Sequence, residues 1–319
     1  MNTSTRTRIV AAWLLVLAMI SASAGLIAQE NDAEGSTQPL ASAIEGEESG
    51  ETVVAEEAAP PEAEIEVTAE PMIDSDRVFL LHVQPIFTPD QAEQVYRPLI
   101  DFLNANTPHQ FDLQTSRDFH RYWMDIRRGT QPDLVLEDPH LVAHRMQRSG
   151  YRPLVKAEQP GSYSLMVMPG QGVEDISDLV GLAISSMPAP SLGYLILSDW
   201  FSNPMQQPRI QSSASSWLDA VEIVFSMEAE AAIVPHNLVS RYPNLDVLIT
   251  SDAFPHNIIA ASPDVPMAVQ EDLLNALVSL QDDPDFFSAL HEMDIDAFVV
   301  ADPIEFEGME RWLRQIFSF

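Results

Sequence analysis

The sequence predicts an α/β protein whose ordered part is two-lobed, each lobe an open sheet flanked by helices, with a ligand cleft between them. Three observations lead to this class. From residue 78 onward, short apolar runs alternate with amphipathic stretches of helical period. A break at Gln159, Pro160, Gly161 and Ser162 divides that alternation into two series. After the second series, from about residue 254, the chain carries helical pattern but too few strands for a third domain, so it is expected to pack back on the first lobe.

Taken in order, the first series reads as strand Val78 to Val83, helix Asp90 to Asn104, strand Gln110 to Gln114, helix Arg117 to Arg128, strand Asp133 to Leu136 and helix Asp138 to Arg148. A repeated strand-helix unit of this kind builds an open sheet through right-handed crossovers. The second series reads as strands Tyr163 to Met168 and Leu182 to Ser185, helix 191–203, strand Arg209 to Gln211, helix 215–226, and strands Glu230 to Val234 and Asp246 to Ile249. The tail gives a strand over 256–261 and helices near 266–281, 284–291 and 303–317. Crossovers near residues 160 and 253 would join lobe one, about 76–160 and 254–319, to lobe two, about 161–253.

The first 24 residues read as a signal peptide. Arg6 and Arg8 form a basic start, Ile9 to Ile20 an apolar stretch too short to span a membrane well, and Ala22, Ser23 and Ala24 a small-residue cleavage site. The chain has no cysteine, which excludes disulfides, thiol catalysis, Cys-based metal sites and a lipid anchor on an N-terminal Cys, so a soluble periplasmic monomer is expected. Residues 25–75 read as a disordered acidic linker: between 29 and 75 there are fourteen Asp or Glu and no Lys or Arg, too little apolar surface to offset chain entropy. The remainder, 76–319, keeps 34 acidic against 14 basic residues, a net of −20 that repels nucleic acid and anionic lipid.

In open α/β sheets ligands sit beyond the carboxyl ends of the strands, so those turns supply the candidate site residues. The turn before the helix at 191–203 is the most informative. Pro188 and Pro190 forbid helix between them, Ser191 stands at the N-cap, and Gly193 allows close backbone approach, so the free N–H groups and dipole of that helix end could hold an anion; a plain cap is the alternative. After the first strand, Phe87 either walls the cleft or staples the next helix. After the third, Asp138 with Pro139 reads as an N-cap and N1 pair, and Glu137 as a pocket acid able to accept from an amine or a protonated oxyanion. Ser213, with Ser212, Ser215 and Ser216, precedes the helix at Trp217 and offers a second anion site or simply a polar loop; His236 faces the cleft or the surface.

No catalytic residue is read, because GxSxG, Walker, GxGxxG and cysteine-nucleophile patterns are all missing. His140 and His144 share a helical face without an HExxH arrangement or a third ligand, so neither a metal nor a cofactor is expected.

Residues 76–319 resemble the periplasmic solute-binding proteins of phosphonate ABC transporters, within the type II periplasmic binding proteins. Tyr96 to Leu103 looks like that family's first helix, Asp133 to Leu136 with Pro139 like its strand running into the cleft, and Asp178 to Gly181 with Ser191 to Tyr194 like its phosphonate-cradling turn. The resemblance implies capture of a small anionic solute (phosphonate, phosphite, phosphate or related) and its delivery to an ABC permease in the inner membrane. It departs from the family pattern at Val142 in place of an aromatic residue, at Ala214 in place of a His, and at Glu228 and Glu230 in place of a Gly and an Asp. These departures motivate an alternative, a degenerate sensory or scaffolding module that engages a partner such as a sensor kinase. A third reading, an exported enzyme, would require an activity dependent on Glu137 or Ser191.

Overall fold

A computed structural model describes residues 77–317, all within one compact unit. The expected signal peptide and acidic linker lie outside the described residues.

The chain runs β1 (Val78–Val83), α1 (Pro89–Asn106), β2 (Gln110–Gln114), α2 (Phe119–Arg127), β3 (Leu134–Glu137), α3 (Pro139–Ser149) and β4 (Arg152–Ala157). It continues with β5 (Tyr163–Val167), β6 (Ala183–Ser185), α4 (Leu192–Trp200), β7 (Arg209–Gln211), α5 (Trp217–Phe225), β8 (Ala231–Pro235) and β9 (Asp246–Thr250). It ends with β10 (Ile258–Ala261), α6 (Met267–Ser279), α7 (Phe287–Met293), β11 (Phe298–Val300) and α8 (Arg311–Ile316).

These strands make two sheets. One has six strands in the order β11-β4-β10-β3-β1-β2, the other five in the order β7-β6-β8-β5-β9. In the first sheet β1 pairs in parallel with β2 and β3, whereas β10 runs antiparallel to β3 and β4. All four residues of β3 and of β10 are buried, as expected of central strands covered on both faces. Each sheet has its own apolar core: Leu81, Leu99, Leu103, Leu136 and Phe298 belong to the first, and Leu165, Ile184, Leu197, Val221 and Ile233 to the second.

Two strands escape the sequence pattern. β4 contains Pro153, which cannot donate to a ladder; it is accommodated where the β10 register shifts between Ile259 and Ala260. β11 has three residues and pairs antiparallel with β4 at the sheet edge. The expected helix over 303–317 is instead a 3-10 turn at Pro303–Phe306 followed by α8, because Gly308 adopts a φ of 78° and interrupts it. Nor does the tail rest on the first sheet's lobe alone. Leu313 of α8 is buried in a cluster with Tyr122, Trp123 and Leu141 from one series and Leu195 of α4 from the other.

The two connections between the sheets are pinned together. Gly161 N donates to Phe254 O at 2.8 Å and Phe254 N donates to Gly161 O at 2.9 Å, a two-bond bridge between the segments leaving β4 and entering β10. A side chain at residue 161 would meet the His256 ring at 3.0 Å, so glycine is what lets these segments lie close.

Candidate functional site

A cavity of about 630 Å³ lies between the two sheets, against this pinned bridge. It is bounded by residues just past the carboxyl ends of three strands, Gln84 after β1, Asp138 after β3 and His236 after β8, the position expected for a ligand in open α/β sheets. Aromatic rings form much of its wall. Tyr163 meets Trp217 edge-on at 5.2 Å and stacks on Phe254 at 6.0 Å, while Phe87 meets Tyr96 edge-on at 6.0 Å.

Asp138 is only 7% exposed and lines this cavity. It occupies the N-cap position of α3, yet its side chain makes no capping hydrogen bond, which corrects the capping expectation. Its main-chain N–H donates to Gln84 Oε1 at 3.1 Å, and its Oδ2 has no hydrogen-bond partner. Burial pushes its carboxyl from 3.8 up to about 7, against an opposing lowering by Gln84 and with the charge of Glu137 adding to the rise. The Tyr96 and Tyr163 hydroxyls are both raised, first by burial and then by the Asp138 charge, so Asp138 sits within electrostatic reach of a ring from α1 and a ring from β5.

The first turn of α5 also faces the cavity, through Ser216, Trp217 and Leu218. Ser216 caps the helix by accepting from Asp219 N at 3.1 Å, which leaves the earlier N–H groups of that turn outside the helical bonding. The Asp219 carboxylate is turned back onto Ser215, accepting from its N–H at 2.7 Å and its hydroxyl at 3.0 Å. Trp217 is 4% exposed and its indole N–H is unpartnered, as is Nε2 of His256 on the adjoining bridge. Burial lowers the His256 pKa and favours the neutral ring. His236 is fixed from behind, its Nδ1 2.7 Å from Ser164 Oγ, which in turn lies 2.9 Å from Thr250 Oγ1.

Of the residues singled out from sequence, the structure brings Phe87, Asp138 and His236 to this cavity and places the others elsewhere. Glu137 is fully buried in an internal pair: Arg145 Nε donates to its two oxygens at 2.8 and 3.0 Å and the Tyr122 hydroxyl donates to it as well, so its accepting capacity is used inside the lobe. Ser191 is fully buried and acts as the cap of α4, accepting from Tyr194 N at 3.4 Å while donating to Met187 O at 3.1 Å. Gly193 does serve a close approach, but to side chains: a Cβ there would meet the Trp217 ring at 2.8 Å and the Tyr163 ring at 3.2 Å. Those two rings, which line the cavity, therefore stand between it and the first turn of α4. Tyr194 packs at the margin of the cluster around Tyr122 and Leu195, and Ser213 is exposed in the loop before α5.

The residues that sequence reasoning missed are Tyr96, Tyr163, Trp217, Arg241, Phe254 and His256. Tyr96 and Trp217 lie in helices that were recognised, but nothing local marks which face meets a second lobe. Among the described residues no group of three or more metal-ligating side chains converges, and no helix is long and apolar enough to cross a membrane.

A family model described as the periplasmic substrate-binding protein of phosphonate ABC transporters matches residues 81–306. Among solved structures, PhnD1 from Prochlorococcus marinus in complex with methylphosphonate is similar at 13% identity with a TM-score of 0.63, over 75% of this chain and 98% of that one. A binding-protein component of an ABC phosphonate transporter from Pseudomonas aeruginosa is similar at 11% identity and a TM-score of 0.60, covering 75% of this chain and 84% of that one. XAC2383 from Xanthomonas citri, solved bound to ATP, is similar at 16% identity and a TM-score of 0.61, over 75% and 97% of the respective chains. A comparison with curated protein sequences finds no significant match. The structural likenesses establish the two-lobed α/β fold of type II periplasmic binding proteins.

Proposed function

We propose that this chain, which belongs to the family of phosphonate ABC-transporter periplasmic substrate-binding proteins, holds a small solute by an anionic group against the N-terminus of α5 and delivers it to a permease. The family is one of solute carriers, not enzymes. What supports the α5 assignment is that Ser216, Trp217 and Leu218 of its first turn line the cavity and that the buried Trp217 indole N–H has no hydrogen-bond partner. A helix N-terminus carries partial positive charge and free donors, and Arg241 on the same wall adds the only Lys or Arg charge among the described lining residues. The α4 turn, where the family resemblance would put the anion, has Trp217 and Tyr163 packed in front of Gly193.

The lobes at 76–160 with 254–319 and at 161–253 would close on the solute, and the segment at 1–24 would export the chain to the periplasm, where it acts as a monomer. Phosphonate, phosphite and phosphate head the list of anionic groups by family. A thermal-shift panel of phosphate, phosphite, sulfate and methylphosphonate, with 2-aminoethylphosphonate, taurine and β-alanine, tests the reading. At a hundredfold excess over Kd a specific ligand stabilises by about 2.7 kcal/mol, several degrees in Tm. A shift with at least one compound is expected. No shift with any of them overturns the proposal and favours the alternative of a module that engages a protein partner such as a sensor kinase.

A further inference from the structure

The fold gathers positive charge on and beside α2. Four of the fourteen Lys and Arg in residues 76–319 lie between Arg117 and Arg128. All four, Arg117, Arg121, Arg127 and Arg128, are exposed, while Phe119, Tyr122 and Trp123 turn the other face of the helix inward. The neighbouring acids do not match them. Arg117 pairs with Asp118 at 2.9 Å, Arg121 and Arg128 share Asp125 at 3.1 and 3.8 Å, and Arg127 makes no ion pair among the described residues. On a folded part with a net charge of −20 this face is a local positive excess, and its electrostatics suit an acidic partner.

We infer that this partner is the chain's own acidic segment, Glu62 to Asp74, docked across the arginine face of α2. The point at which the chain enters the fold favours it. Arg77, the first described residue, pairs with Asp133, which also accepts from Leu80 N at 3.0 Å, and Asp133 follows Arg128 by five positions. Five residues span at most about 18 Å, so the N-terminal segment joins the fold beside the C-terminal end of α2. Glu62, Glu64, Glu66, Glu70 and Asp74 stand three to fifteen positions before Arg77, and residues 29–75 hold no Lys or Arg to compete for them. A tether this short gives an effective concentration of about millimolar, so that exposed charge pairs, each weak alone, suffice to hold the segment. Salt screens such pairs, the Debye length falling from about 10 Å at 0.1 M to about 3 Å at 1 M. Docking covers a face that otherwise attracts anionic surfaces.

The chain has no cysteine, so a nitroxide carried on Ala63→Cys labels the acidic segment alone. Paramagnetic broadening of backbone amide signals in the full chain is the readout. Ser262, Asp264, Val265 and Met267 supply an internal control: they meet the same entry point, Ser262 N donating to Asp133 O at 2.8 Å, and residues 262–267 hold Asp264 but no Lys or Arg. At about 50 mM NaCl the amides of residues 117–128 are expected to lose at least about twofold more intensity than the control amides. The difference should vanish at about 0.5 M NaCl and in the triple variant Arg121→Gln, Arg127→Gln, Arg128→Gln. Equal broadening of the two regions at low salt, a result that needs no arginine variant, overturns the docking. So does a preference for α2 that persists at high salt or in the triple variant.

Discussion

Replacing Glu137 by alanine is expected to destabilise the protein by about 3–5 kcal/mol, because Arg145 would then be a buried guanidinium without its carboxylate. The Tyr122 hydroxyl loses its acceptor in the same substitution. For a protein of this size the loss corresponds to roughly 10 °C in Tm by differential scanning calorimetry. The double variant Glu137→Leu with Arg145→Met should recover most of it, since replacing both members of a buried pair by apolar groups is close to neutral. Because Glu137 does not line the cavity, solute affinity per folded molecule is expected to stay within twofold in the single variant. A tenfold loss of affinity with unchanged Tm would mean that Glu137 reaches the solute after all.

Asp138→Asn should have the opposite effect on stability, and only at high pH. The folded-state pKa of about 7 lies above the ordinary 3.8, so the protonated form is the one the fold prefers. This contribution to stability is complete below 3.8 and is lost as pH rises through 7, where the wild type must either carry an unmatched buried charge or unfold more readily. Three pH units correspond to on the order of 4 kcal/mol, and asparagine carries no charge to bury. Urea unfolding of the ligand-free proteins is therefore expected to show the variant more stable at pH 8.5, with the difference shrinking toward pH 4.5. Other carboxylates titrate alike in both proteins and cancel. A difference independent of pH would show that Asp138 is matched or solvated in the folded state.

Neighbouring residues thus differ in ways that the sequence alone does not reveal. Glu137 and Asp138 are adjacent acids at the end of a strand, and reading them as a pocket acid and a cap respectively follows local rules. The partner that consumes Glu137 stands eight positions later on α3, where its orientation depends on packing against Tyr122. Most of the strand and helix order was legible because central strands such as β3 and β8 are continuous apolar runs and helices such as α5 carry a serine cap. β4 was not legible, since Pro153 argues locally against a strand and only the register shift against β10, which leaves Leu154 as the extra residue on β4, makes room for it.

The turn before α4 shows the same limit at the site. Ser191 caps the helix as its position suggests, and Gly193 is there for close approach. What approaches is the ring of Trp217, from a helix 24 positions later in the chain, together with Tyr163 from a strand 30 positions earlier. No local pattern encodes that meeting. The departure at Ala214 is consistent with it: the alanine is buried in the second core together with Trp217 and presents no polar group to the cavity.

The central claim is that the anionic end of the solute rests on α5 and not on α4. Its most direct test is isothermal titration of the tightest compound from the panel against two variants, Trp217→Phe, which keeps the ring and removes the indole N–H, and Ser191→Ala, which removes the α4 cap. The expected result is a loss of at least tenfold in affinity for Trp217→Phe and less than twofold for Ser191→Ala. The reverse pattern, with Ser191→Ala abolishing binding and Trp217→Phe leaving it unchanged, would contradict the account.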